Sequence, residues 1–390
     1  MEDPRNDAPR GDSSRSGAVS QKIPFLLSEI AGAFGDFGTI IPLILTAAVV
    51  CHLPLSPILL FFGIWFVATG VIYRLPLPIE PMKAVAAVAI AEQLGAGEIA
   101  AAGLILGFIF LLLSSERIMG FLGRVIPEAV LRGIQVALAL LLAKTALGYI
   151  TGDFTIFALA FGIILIGLFV SWRRWFPDIS AIVVVLVGVS IGILINGFPG
   201  FQISGLPPLV IPSPGDMTGA LTDLVPAQVI LTITNAILAT SLLAKDLFRE
   251  EVAPKKLSRV MGVMNLTSAP FGGFPMCHGS NGLAGQYRFG ARTGLASIIA
   301  GIVFLVLALF FASPAILTLI PVGIFGALLL FTAFELGKHG LRRESWVIAG
   351  FMGIVTLISS LTIAFVLGMV VVYGISWYNS RGKETNPPGV

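Results

Sequence analysis

Apolar runs recur from one end of this chain to the other, many of them long enough for a helix to cross a bilayer, which takes about twenty residues. They fall at 24–49, 55–73, 82–94, 97–115, 126–148, 154–171, 180–197, 225–244, 257–269, 276–287, 293–312, 314–334, 345–358 and 361–379. Hydrophobic residues make up 56% of the chain and charged residues 12%, against about 25% charged in soluble domains. A soluble fold could not hide so much apolar surface, so the solvent must be lipid. The reading is an all-α polytopic membrane protein of fourteen transmembrane segments, with the lipid bilayer as a partner. A net charge of +3 without a basic block excludes nucleic acid. Cys51 and Cys277 are far apart and support neither a disulfide nor a multi-Cys metal site. No cofactor motif is present.

Residues 1–22 are polar and mixed in charge and read as a disordered cytoplasmic tail. Residues 380–390 read as a second tail. Glu29 and Asp36 inside the first apolar run argue against a cleaved signal peptide. With the N-terminus inside, the inner loops collect Arg74, Arg117, Arg124, Arg173, Arg174, Lys245, Arg249, Lys255, Lys256 and Arg259, and the stretch 198–224 outside holds no Lys or Arg. That asymmetry predicts both termini in the cytoplasm and a multi-pass protein of the plasma (inner) membrane.

The chain also repeats itself. Shifted by 194 positions, Pro81-Met82 falls on Pro275-Met276 and Ile126-Pro127 on Ile320-Pro321. Ala102, Ile105, Gly107 and Phe110 fall on Ala296, Ile299, Gly301 and Phe304. Each repeat holds seven segments, and an odd number inserts the second copy upside down. Segments 3 and 10, at 82–94 and 276–287, are short, and each follows a Pro/Gly-rich stretch. Interrupted segments in inverted repeats mark secondary transporters with substrate near the midplane. Each Pro-Met then marks the start of a half-helix, since Pro suits the first helical position. Two facing helix N-termini, each worth roughly half a positive charge, form an anion site.

The stretches "SEIAGAFGDFGTIIPL" (28–43), "PIEPMKA" (78–84) and "PMCHGSNGLAGQYRFGARTG" (275–294) closely resemble the molybdate transporter family, a branch related to sulfate permeases. The resemblance implies the fold of the uracil permease. It implies a core domain from 23–115 and 225–312, a gate domain from 116–197 and 313–379, and an extracellular loop at 198–224. It also implies a possible homodimer through the gate domains. Sulfate permeases usually carry a cytoplasmic C-terminal regulatory domain, which this sequence lacks.

Candidate substrate-binding residues cluster at the two half-helices. In the first they are Met82, Lys83 and Ala84. A cation at membrane depth is costly and usually functional. Lys83 either pairs with the oxyanion or pairs structurally with Glu80, Asp36 or Glu29. With two half-dipoles it supplies about +2, matching a dianion. In the second half-helix the candidates are Cys277, His278, Gly279, Ser280 and Asn281. His278 either donates a hydrogen bond to the anion or packs the helix start. Gly279 and Gly282 permit close backbone approach to a ligand or a helix. Adjacent Cys277 and His278 point about 100° apart on a helix and make a poor nucleophile–base pair, so no enzyme chemistry is expected.

In the first segment, Asp36 and Thr39 follow glycines that interrupt the helix. Asp36 either carries a proton or holds backbone and Lys83 in place. Segment 8 holds Gln228, Thr232, Thr234 and Asn235 without a carboxylate between Asp223 and Asp246. Relatives such as the uracil permease have a carboxylate in this segment. Its counterpart here is Asn235 or a neighbouring Thr such as Thr232, or else these residues are helix glue. Glu128 and Arg132 are expected to pair at i, i+4. The function implied is a transporter of molybdate, with tungstate as co-substrate. Sulfate transport and an anion channel are the alternatives.

Overall fold

The computed structural model describes residues 25–115, 117, 127–172, 180–198, 205–312, 320–340 and 346–384. The expected tail at 1–22 lies outside them. The first half of the chain forms α1 (Phe25–Ala33), α2 (Phe37–Val50), α3 (Leu55–Tyr73), β1 (Glu80–Pro81), α4 (Lys83–Glu92) and α5 (Ala96–Leu112), then α6 (Glu128–Gly152), α7 (Phe154–Trp172) and α8 (Ser180–Asn196). The second half forms α9 (Pro214–Phe248), α10 (Pro254–Ser268), β2 (Met276–Cys277) and α11 (Ser280–Arg288). It closes with α12 (Gly294–Phe310), α13 (Val322–Gly340), α14 (Trp346–Ile358) and α15 (Leu361–Glu384).

α3, α6 and α9 are each long and apolar enough to cross a membrane. α4 and α11 have 10 and 9 residues. At 1.5 Å per residue each spans only about half of a hydrocarbon core about 30 Å thick. Large apolar side chains such as Ile166, Leu194 and Val370 point outward, as a lipid-facing surface requires.

The repeat seen in the sequence governs the packing. α6 and α13 begin at Glu128 and Val322, corresponding positions in the two copies, and these two helices pack on each other. Two further pairs, α3 with α12 and α5 with α10, also pack closely, as does α14 on α6. Small residues let these backbones close. A Cβ at Gly301 would stand 2.7 Å from the Gly63 carbonyl, and one at Gly262 would stand 2.9 Å from the Gly107 carbonyl. In lipid such close packing replaces hydrophobic driving force.

The break expected in the first apolar run is present: the run is two helices, because the chain turns at residues 34–36. Gly32 and Gly35 there lie against the backbone of Ala291 and of Gly285 and Gln286, an approach any side chain would block. The expected external loop is helical from Pro214 onward and continuous with segment 8. A capping box starts it: Ser213 Oγ accepts the Asp216 N–H at 3.2 Å, and the Asp216 carboxylate accepts the Ser213 N–H at 2.7 Å. The expected tail at 380 onward begins as helix, since α15 runs to Glu384. Glu128 and Arg132 do pair, at 2.9 Å.

Candidate functional site

Two extended stretches meet in the interior. β1 runs antiparallel to β2, with Glu80 opposite Cys277 and Pro81 opposite Met276. The Met82 N–H continues the pairing to the Pro275 carbonyl at 2.9 Å. Asn265 of α10 holds β2 from its other side. Its Oδ1 accepts the Met276 N–H at 2.8 Å, and its Nδ2 donates to the Met276 carbonyl at 2.7 Å. Non-helical backbone at membrane depth survives only where its polar groups are satisfied in this way.

Each strand leads into a half-helix whose first turn carries free N–H groups. Neither helix has a capping side chain at its own N-cap residue; both are capped from elsewhere. On α4, Gln228 Oε1 of α9 accepts the Ala84 N–H at 2.9 Å and the Val85 N–H at 3.4 Å. The Gln228 Nε2 donates to Thr232 Oγ1 at 2.9 Å. On α11, Glu80 Oε1 of β1 accepts the Gly282 N–H at 3.2 Å. The other oxygen of Glu80 holds the Lys83 ammonium. Glu80 is fully buried and the Lys83 side chain is 12% exposed.

This corrects the charge balance expected from sequence. Two half-dipoles and Lys83 do not stand as about +2, because the Glu80 carboxylate occupies the α11 end and pairs with Lys83. A strand residue from the first half of the chain thus lies on a helix start of the second half. Lys83 therefore has its structural pair in Glu80. Glu29 is engaged elsewhere: its carboxylate accepts the N–H groups of Arg292, Thr293 and Ala296, at 2.9 to 3.2 Å, at the start of α12.

Asp36 joins the cluster. Its carboxyl and that of Glu80 converge over Gly282, where a Cβ would strike both. A Cβ at Gly279 would strike Glu80. The two glycines admit carboxyl groups to the α11 backbone. Asp36 Oδ2 has no hydrogen-bond partner among the described residues. Thr39 neighbours Asp36.

Between the helix starts lies a cavity of about 20 Å³, room for about one water. Lys83, Gln228, Asn235, Cys277 and Asn281 line one side, and Gln135 and Leu138 of α6 line the other. Ser280 donates to Asn235 Oδ1 at 2.5 Å, tying α11 to α9. Asn235 sits in a π-helical stretch, Thr232–Ala239, a widening common at functional sites.

The remaining candidates lie outside this lining. Met82 and Ala84 are fully buried in packing. His278 is fully buried, its Nδ1 is 3.0 Å from the Pro78 carbonyl, and its ring meets Tyr73 edge-on. A neutral imidazole that donates at Nδ1 has only an acceptor at Nε2, so His278 packs the strand rather than offering a proton to the cavity. Gln135, Gln228 as a cap, and Asn265 were not singled out from sequence. A lone Gln inside the apolar run of α6 was the available signal for Gln135. For Gln228, the sequence showed the polar group and not the helix it would reach.

A profile of the family described as "Molybdate transporter of MFS superfamily" matches residues 28–142 and 220–336. The chain is similar to Molybdate transporter 2 of Arabidopsis thaliana, 33% identical with 84% of this chain and 82% of that protein covered. Molybdate transporter 1 of the same plant is also 33% identical, covering 92% and 90%. A probable sulfate transporter of Mycobacterium tuberculosis is 28% identical, covering 86% and 66%. Among solved structures, the transmembrane domain of the cyanobacterial bicarbonate transporter BicA matches with TM-score 0.66 at 16% identity, covering 89% of this chain and 98% of that one. SLC26A9 matches with TM-score 0.69 at 15% identity, covering 91% and 66%. At these identities the structures establish a shared fold.

Proposed function

This chain belongs to the molybdate transporter family, and from that premise we propose that it is a secondary transporter of a tetrahedral oxyanion, molybdate foremost. Tungstate, a dianion of the same shape, is the expected co-substrate. One observation carries the reading: an ammonium, four side-chain amides and two half-helix starts converge on one small cavity. These groups can donate hydrogen bonds to an anion from several directions. Lys83, Asn235 and Asn281 are the proposed first contacts, and Ser280 orients Asn235.

The chain crosses the membrane fourteen times in two inverted repeats, with both termini in the cytoplasm. Core segments carry the half-helices and move as a body against the gate helices. The cavity holds about one water, so anion binding requires the core to separate from Gln135 and Leu138 of α6. Val88 of α4 and Leu141 of α6 line a second cavity between the same two helices. A disulfide between cysteines placed there should trap one state and stop uptake. Normal uptake by the linked protein would exclude this motion.

The 28% identical sulfate transporter keeps sulfate as the second substrate reading. Purified protein in liposomes, given labelled molybdate, decides between the readings. Saturable uptake, blocked by excess cold molybdate and weakly by sulfate, is the expected result. Stronger competition by sulfate would reassign the substrate, and a steady electrodiffusive current would indicate a channel.

A further inference from the structure

We propose that Gln228 is an internal stand-in for the substrate: its side-chain carbonyl holds the start of α4 in the contracted state, and the arriving oxyanion displaces it. The inference rests on the site proposed above and deepens it. Gln228 is 1% exposed and lines the cavity beside Lys83. Its Oε1 accepts from two successive N–H groups, at Ala84 and Val85, the groups that an anion at a helix N-terminus takes. The opposite helix start is held differently. A carboxylate, Glu80, caps α11 and is pinned by Lys83. A neutral amide with two acceptor contacts is the weaker of the two caps, so the α4 end is the one that opens.

The Nε2 bond to Thr232 Oγ1 gives the amide a pivot on its own helix. Thr232 stands four residues along α9, so Gln228 can keep this bond while Oε1 swings away from α4. Thr232 thereby acquires a positioning role.

The consequence is a threshold. Displacing the amide costs the same for every ligand that takes its place, so it leaves the ratio between anions unchanged. Only a ligand that gains more from the α4 N–H groups than the amide does will bind. A dianion qualifies, since charge-assisted hydrogen bonds are roughly twice as strong as neutral ones. Water and neutral solutes do not qualify.

The test is equilibrium molybdate binding to the full-length protein in detergent, in a Cys51→Ala background that leaves Cys277 as the reporter thiol. Methyl methanethiosulfonate modification of Cys277, with and without molybdate, reports whether the anion occupies the cavity. Gln228→Ala should bind molybdate about two- to tenfold more tightly, because the competing hydrogen bonds are gone. Its melting temperature without molybdate should fall, and the rise on adding molybdate should exceed that of the parent. If Gln228→Ala does not fold, Gln228→Met removes the acceptor at similar volume and should also tighten binding. Cys277 protected in the parent, with unchanged or weaker binding in the Gln228 variants, overturns the stand-in role alone. No protection of Cys277 by saturating molybdate in the parent would move the anion elsewhere and overturn the site itself.

Discussion

Glu80, in the strand of the first repeat, accepts the backbone N–H of Gly282 in the half-helix of the second, at 3.2 Å. One buried carboxylate thus joins the two halves of the chain. Its other oxygen holds Lys83, so the cation nearest the cavity is positioned by a residue that also caps the opposite helix. Each prediction below tests a part of this arrangement.

Lys83→Ala leaves Glu80 buried without its ammonium. Breaking a buried pair from one side costs about 3–5 kcal/mol, so thermal unfolding in detergent should occur at a clearly lower temperature. Lys83→Ala/Glu80→Gln removes the stranded charge and should recover most of that stability. It should not recover molybdate binding, because the ammonium that lines the cavity is still missing. Recovered binding in the double variant would show that Lys83 serves Glu80 alone.

Gly282→Ala inserts a methyl group where Asp36 and Glu80 meet the α11 backbone. The carboxyls must shift, and overpacking of this kind costs about 1–3 kcal/mol. Uptake should fall at least tenfold. Gly350→Ala, at a helix position with nothing within 4 Å, is the matched control and should transport normally.

Asp36 and Glu80 bring two carboxyls to one ammonium, one carboxyl more than Lys83 neutralises. If transport is proton-coupled, Asp36 is the group placed to carry the proton, since Glu80 is engaged on both oxygens. Asp36→Asn uptake should then no longer respond to an imposed pH gradient, while exchange of internal for external molybdate continues. A gradient response kept in Asp36→Asn removes Asp36 from coupling.

Leu206 is 96% exposed in the segment ahead of α9. With the termini inside, Leu206→Cys should react with an impermeant maleimide from outside intact cells. Reaction only in inverted vesicles would reverse the orientation.

Several features were legible in the sequence because they depend on local composition. Apolar length marked the membrane runs: the second expected run, 55–73, is observed as α3, Leu55–Tyr73. Proline before methionine marked the two extended strands that lead into the short helices and not, as expected, the helix starts: these lie at Lys83 and Ser280, so Cys277, His278 and Gly279 precede α11. The shift of 194 positions set Ile126-Pro127 on Ile320-Pro321, and α6 and α13 begin directly after these pairs, although the expected runs started at 126 and 314. Glycines marked the break near Asp36, since only a backbone without side chains fits against Gly285 and Gln286.

What the halves do to each other depended on tertiary structure. Sequence placed Glu80 three residues before Lys83 and showed Gln228 far away in segment 8. It could not show that Glu80 would cap α11 or Gln228 cap α4, because each of those bonds crosses from one repeat to the other. The fold brings each helix start to a partner some 140 to 200 positions distant, and no local pattern encodes that distance. For the same reason the sequence left His278 open between meeting an anion and packing the helix start, whereas the fold turns it to the Pro78 carbonyl. Sequence by itself determined a helical membrane chain with two matching Pro-Met stretches half a chain apart and a lysine beside one of them. Only the tertiary structure decided which polar group faces each helix start, because a buried N–H takes the nearest acceptor in space.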